Sequence, residues 1–231
     1  MASNLENADI LKDFETQVQR AKWFKDELEK QEGWTQRFNK IGEYNSWSKT
    51  FPNDEVPVKT LFRFENLPLS AEKFAEILHP SKLDIRLKWD KAFTGTEKLE
   101  TLSDESAIVF TVVQLPWPFT SRDMVLHLST AKEIDWFGRK AFAIFVNNAT
   151  HALKPLGGEG MIRATNGGNF YIAVQDKEEP EVKCEVFGLT NNNYNGWLPQ
   201  KNEWFVSPRA SKVFCAFRES VIQGYKNYFS S

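Results

Sequence analysis

The chain has 231 residues, with 29 basic against 31 acidic and a formal net charge of -2. That balance excludes a nucleic-acid partner, because phosphate backbones are held by a concentrated positive surplus. Aromatic residues make up 14%, with 19 Phe and 8 Trp, enough large rings to line a core or a sizeable apolar cavity.

No run approaches the ~18 apolar residues of a membrane span. The opening "MASNLENADILKDFETQ" has no basic region followed by an apolar block, so no secretory signal is expected. Cys184 and Cys215 are too few for a disulfide framework and suit a reducing compartment. The "NAT" at 148–150 is then a chance match to a glycosylation acceptor. A cytoplasmic globular protein is expected.

A single domain over 1–231 is expected, opening on a helical region at 1–32. Leu11, Phe14, Val18, Ala21, Phe24 and Leu28 recur at three- and four-residue spacing there, and Gly33 supplies the stop. Three strands follow: "TQRFNKIG", "YNSWSKTF" and "VKTLFRFEN". In the third, Val58, Thr60, Phe62 and Phe64 alternate with polar or charged neighbours. Ser70 caps a short helix in "PLSAEKFAEIL", and "PSKLDIRLKWD" forms a second.

Six more strands come next, in "GTEKLETLS", "AIVFTVVQ", "DMVLHLSTAKE", "KAFAIFVNN", "GMIRATNGGNFYIAVQ" and "EVKCEVFGLT". Their hairpin-like spacing predicts an antiparallel sheet. A long helix over 207–229 closes the chain, with Ser207 as its cap, Pro208 at the first position and an apolar stripe of Phe214, Phe217, Val221 and Tyr228. A sheet of about nine strands has to curl. The aromatic face of the last helix is buried most economically across the mouth of that curl, enclosing a cavity. The predicted class is α+β, a helix-grip fold around a hydrophobic tunnel.

Catalytic chemistry finds no support in the pattern. His79, His127 and His151 stand apart from one another, outside H-E-x-x-H, and neither cysteine sits in C-x-x-C, so no metal or other cofactor is expected. "LGGEG" and "NGG" read as turns, and Cys184 in "VKCEVFG" reads as a packed strand residue. The chain is not expected to be an enzyme.

Four segments, "IRLKWD" (85–90), "PWPFTSRDMV" (116–125), "GEGMIRA" (158–164) and "GWLP" (196–199), stand in register with these elements. Together they resemble the START (steroidogenic acute regulatory protein-related lipid transfer) domain family, nearest in motif to its phosphatidylcholine-transfer-protein-like subgroup. The resemblance implies one lipid or hydrophobic ligand inside the tunnel and transient contact with a membrane surface. It places Arg86 and Asp90 at the phosphate of a phospholipid. By residue type alone, Arg86 is either such a ligand or a surface partner of Asp90 or Asp84. Trp89 is either core or ligand contact.

The lining implied by the resemblance comes from several elements. Thr111 and Val113 lie on one strand and Met124, Leu126 and Leu128 on the next, with His127 turned outward by alternation. Asn169 lies on a later strand, and Phe217 and Val221 on the last helix. The family's choline-binding aromatic box falls here on Thr111, Met124 and Gly167, none aromatic, so no choline preference is expected. The acid–arginine pair of sterol-binding members falls within Thr111 to Val113 and on Leu128, and is absent. Trp117 and Phe119, on a tip stiffened by Pro116 and Pro118, suit a gate that meets the bilayer interface, where such rings sit favourably. The alternative is a lid folded inward. The expected function is intracellular binding and transfer of an amphipathic lipid. The alternatives are a carrier of a sterol, fatty acid or carotenoid, a lipid sensor, or a helix-grip enzyme such as a thioesterase.

Overall fold

The structure, a computed structural model, describes residues 14–91, 95–115, 119–129, 131–156, 160–198 and 203–229, without the side chains of 203–211. Helix α1 (Phe14–Glu29) is followed by β1 (Thr35–Lys40), β2 (Tyr44–Thr50) and β3 (Val58–Leu67). Two short helices, α2 (Ala71–Ile77) and α3 (Leu83–Trp89), come next, with a 3-10 turn at Pro80–Lys82 between them. Ser70 caps α2 as expected, its hydroxyl accepting from the Lys73 N–H.

The chain continues with β4 (Glu97–Ser103), β5 (Ser106–Val113), β6 (Arg122–Ser129), β7 (Lys132–Trp136) and β8 (Arg139–Asn148). Then come β9 (Ile162–Arg163), β10 (Thr165–Asn166), β11 (Asn169–Gln175), β12 (Cys184–Thr190) and β13 (Asn192–Asn193), before helix α4 (Glu203–Tyr228). The main sheet runs β1-β2-β3-β12-β11-β8-β6-β5-β4, so its path consists of the nine expected strands. Strands β7 and β9 join it from the side, and β10 pairs with β13 in a separate two-stranded sheet. The fold is the α+β helix grip predicted from the element order.

Three local expectations are corrected. "DMVLHLSTAKE" is two strands, β6 and β7, which pair in turn with the two ends of β8. Ser129 spans the break: its hydroxyl donates to the Phe145 carbonyl and accepts from the Phe145 N–H, replacing ladder bonds. "GMIRATNGGNFYIAVQ" splits into β9, β10 and β11, because Asn166 accepts from the Gly168 and Asn169 N–H groups and turns the chain. The β9 fragment lies parallel to β6, the one parallel pairing found among the described strands. Finally, α4 begins at Glu203, so Ser207 is not its cap and Pro208 lies inside it.

Both faces of the sheet are covered. On the outer face, Val18, Ala21 and Phe24 of α1 pack on Leu61, Phe170, Ile172, Phe187 and Leu189. This is why β3 is buried on both sides rather than alternating as predicted: Lys59 and Leu61 are as inaccessible as Thr60 and Phe62. On the inner face, α4 lies across β1 to β3 and against α2 and α3. Phe214 stacks on Phe62 with centroids 4.1 Å apart and planes 19° off parallel. Gly188 makes this possible, since a Cβ there would enter the Phe62 ring. Phe217 and Val221 are buried as predicted, but Tyr228 is 43% exposed. The helix turns Ile222 inward instead, packing Tyr225 and Phe229 against the same cluster.

Candidate functional site: the inner face of the sheet

The inner face is largely apolar, with the buried hydroxyls of Ser46, Ser48, Thr60 and Thr111 and a charged pair on the helix beside it. Arg86 and Asp90 stand four residues apart at the end of α3, a spacing that stacks them on one side of a helix. Arg86 Nε donates to Asp90 Oδ2 at 2.9 Å, and both side chains are buried. The expected pairing of Arg86 with Asp90 is present, but not on the surface: α3 turns Asp84 outward and Arg86 and Asp90 inward. Trp89 takes its core alternative, lying flat on Gly224 of α4, where a Cβ would stand 2.6 Å from the indole.

Tyr171 of β11 joins this cluster. Its ring packs on Phe62, Phe74 and Phe217, with centroids 6.0, 6.4 and 5.7 Å away. Burial pushes its hydroxyl pKa up to about 12, with the charges of Arg86 and Asp90 within electrostatic reach. A group so deeply desolvated is surrounded by protein, yet Tyr171 keeps more accessible surface than the packed core. Tyr194 shares both properties, its pKa also raised by burial. Both tyrosines pack against the inner cluster of Met124, Leu126 and Leu128.

The expected lining residues fall into two clusters that meet at Tyr171. Met124, Leu126 and Leu128 pack with Val109, Leu83 and Ala164, with Val113, Tyr171 and Tyr194 against them. Phe217 and Val221 belong to the cluster of Phe62, Phe64 and Trp89, which Tyr171 also touches. Thr111 faces inward in register with Met124, and its hydroxyl accepts from Thr96 at 2.8 Å. Asn169 is a loop tie: it accepts from the Asn191 N–H at 2.7 Å and donates to Asn192 at 3.2 Å. Gly167 has no room for an aromatic ring, since a Cβ there would collide with Asn191. Its carbonyl is held by Arg20 at 3.0 Å and by Asn191 at 2.6 Å.

The "RD" that opens β6, Arg122 and Asp123, has a local structural job. Arg122, 2% exposed, donates from Nε to the Tyr194 carbonyl at 2.6 Å, from Nη2 to Asn195 at 3.1 Å and from Nη1 to Thr120. Asp123 takes two bonds from Arg163, at 2.8 and 3.0 Å, and Arg163 also holds the Lys154 carbonyl at 3.1 Å. Loops 119–121, 154–155 and 194–195 are thereby pinned to the start of β6. At this end Phe119 lies 6.1 Å from Trp197, which is 85% exposed, and Leu153 and Leu156 are 70% and 79% exposed. Trp117 lies outside the described residues.

His127 points to the outer face, as alternation required. It lines a cleft of about 70 Å³ with Ser106, Ser129, Lys132 and Asn147, and neither ring nitrogen has a hydrogen-bond partner. Burial lowers its pKa. The cleft is far below the roughly 300 Å³ of small-molecule sites and cannot hold a lipid. Cys184 is buried and its thiol pKa is raised well above the ordinary value, the environment of a packed rather than a reactive cysteine. Sequence reasoning missed Tyr171 and Trp197. The exposed tryptophan lay in a quoted motif and could have been found by the same argument as Trp117; Tyr171 carried no signal.

No described helix is long and apolar enough to cross a membrane. No curated protein matches the sequence. Solved structures share the fold at low identity. Human STARD10 is similar at TM-score 0.66 and 20% identity, over 85% of this chain and 74% of that one. Human StAR-related lipid transfer protein 5 is similar at 0.67 and 16%, over 92% and 99%. The human StarD13 (DLC2) lipid transfer and protein localization domain is similar at 0.60 and 19%, over 88% and 95%. The START domain family model matches residues 15–222. Matched over nearly its whole length and built on the same helix-grip frame, the chain belongs to the START domain family.

Proposed function

We propose that this START domain takes one amphipathic lipid into its interior and carries it unchanged between membranes, and that the lipid is a phospholipid. The observation that carries this reading is the buried Arg86–Asp90 pair beside a largely apolar inner face. A desolvated guanidinium is costly, and a phosphate offers it two further charge-assisted bonds in the planar geometry that arginine prefers. Acyl chains would lie along Val113, Leu126, Leu128 and Phe217. Exposing them to water costs ~0.8 kcal/mol per methylene, which favours handing them directly from bilayer to cavity.

The likeness to the phosphatidylcholine-transfer subgroup stops at Arg86 and Asp90. With Thr111, Met124 and Gly167 at the box positions, nothing there recognises a quaternary ammonium. Membrane contact is assigned to the end where Phe119 meets Trp197, with Trp117 in the same loop. The work is done by one domain, in a cytoplasm that keeps Cys184 and Cys215 reduced.

The test is native mass spectrometry of protein purified from its own cells, with lipid extraction, followed by transfer assays on Arg86→Met. Phospholipid should co-purify, and Arg86→Met should lose it by roughly 2–5 kcal/mol while sterol uptake stays nearly intact. Undiminished phospholipid binding by Arg86→Met would refute the headgroup assignment.

A further inference from the structure

At the outer-face cleft beside His127, a formed space and unpartnered buried atoms coincide. His127 is 1% exposed, it lines the cleft, and neither Nδ1 nor Nε2 has a hydrogen-bond partner. A buried polar group left in that state is costly and calls for a partner. Strand register sets the floor: Ile108 of β5, His127 of β6 and Asn147 of β8 stand in one row, with Ser106 and Ser129 paired two residues along. Ser129 is already occupied by the Phe145 backbone, and Ser106 shares its hydroxyl with Ser103 at 3.2 Å.

The walls are apolar and fixed. Phe14 of α1 meets Phe145 edge-on, with centroids 5.3 Å apart and planes at 79°. The Lys132 ammonium, 5.2 Å from the Phe14 ring, holds it from the other side. Both rings line the cleft together with Gln17.

The chemistry of the missing partner follows from this lining. Burial lowers the His127 pKa, so the imidazole is neutral at pH 7 and offers one N–H and one bare nitrogen. The amides of Gln17 and Asn147 also both donate and accept. The charged groups on the lining, Lys132 and Glu105, are one of each sign, so an ion of either charge meets an opposing one. A hydroxyl donates and accepts, and so satisfies whichever nitrogen it faces. Water does the same, but it leaves the Phe14 and Phe145 rings wetted, whereas carbon bearing hydroxyls covers them. A volume of about 70 Å³ limits the occupant to a few heavy atoms.

We propose that this cleft is a second ligand site, on the opposite face of the sheet from the lipid, that takes a short polyol of the glycerol class. Its hydroxyls bond His127, and its carbon chain lies against Phe14 and Phe145. The site is independent of the phospholipid reading.

The experiment follows the ring resonances of His79, His127 and His151 by NMR in the full chain at neutral pH, with His127→Gln identifying its own signal. Glycerol is titrated in, and acetate in a parallel series. Glycerol should shift the His127 signals to a plateau while the other two histidines stay in place, and acetate should give no plateau. Phe14→Ala should weaken glycerol binding about fivefold by removing one wall. Phe14→Leu keeps the apolar packing without the flat ring and reads the same loss if the smaller side chain unsettles α1. A drift shared by all three histidines, with no plateau, is a general solvent effect and overturns the site. Tighter binding of acetate than of glycerol overturns the polyol assignment in favour of an anion. Glycerol bound as tightly by both Phe14 variants as by the parent removes the aromatic wall from the site and overturns the proposal too.

Discussion

The two faces of one sheet are built to different ends, and β6 shows the contrast within a few residues. Met124, Leu126 and Leu128 look inward to a cluster that includes the partly accessible Tyr171 and Tyr194. Val125 and His127 look outward, Val125 into a packed cluster and His127 onto the cleft that Phe14 of α1 also lines. The outer face is sealed by α1, whose Arg20 ties down the Gly167 and Gly168 carbonyls at 3.0 and 2.9 Å. The inner face keeps a buried ion pair, Arg86 with Asp90. The outer face is covered by a helix whose stripe is apolar, while the inner face carries the buried pair on which the headgroup proposal rests.

The largest effects should separate the faces cleanly. Phe24→Ala empties part of the outer face and should cost about 3–5 kcal/mol in chemical denaturation, with lipid uptake per folded molecule unchanged. Asp90→Asn leaves Arg86 without its carboxylate and should cost about 3–5 kcal/mol in the lipid-free protein. Here, however, added phospholipid should restore part of the loss, because ligand that binds only the folded state stabilises it by mass action. If phospholipid rescues Phe24→Ala and Asp90→Asn by equal amounts, the inner pair has no special relation to the ligand.

A smaller effect is expected at the seam between α3 and α4. Gly224→Ala drives a methyl into the Trp89 indole and should lower stability by about 1–3 kcal/mol, read as a shift in thermal unfolding. Because Trp89 and Arg86 share a short helix, the displacement should also weaken phospholipid binding more than diacylglycerol binding. Equal weakening would mean that α3 does not orient the pair.

On the outer face, His127 makes stability depend on pH. Its folded pKa lies below the ordinary 6.5, so the unfolded chain binds the proton more readily. The contribution is therefore present in full above about 6.5 and is lost as pH falls from there toward the folded pKa. His127→Gln should flatten that part of the stability–pH profile and leave lipid binding alone. A profile unchanged by the substitution would show that other groups govern it.

The smallest stability effect belongs to the exposed end. Trp197→Ala should alter thermal unfolding by no more than ~0.5 kcal/mol, since the ring is mostly in solvent. It should slow transfer between vesicles, and adding Phe119→Ala should slow it further. Transfer at the parent rate in the double variant would remove this end from membrane contact.

Much of this architecture was legible in the residues. The stripe of Val18, Ala21 and Phe24, the Ser70 cap, the nine strands of the sheet path and the outward turn of His127 all follow from periods of 3.6 and 2 and from capping chemistry, which act over a few residues. The same locality sets the i,i+4 pairing of Arg86 with Asp90. What periodicity could not supply was which side of α3 is buried, the double burial of β3, the Ser129 break between β6 and β7, or the parallel seat of β9. Each depends on a partner far along the chain. Tyr171 is the clearest case: as a sequence letter it is one tyrosine in a strand. Only the packing of β11 against α2 and α4 wedges its ring among Phe62, Phe74 and Phe217. Local stereochemistry writes the elements into the sequence, but the environment of a side chain belongs to the elements that close around it.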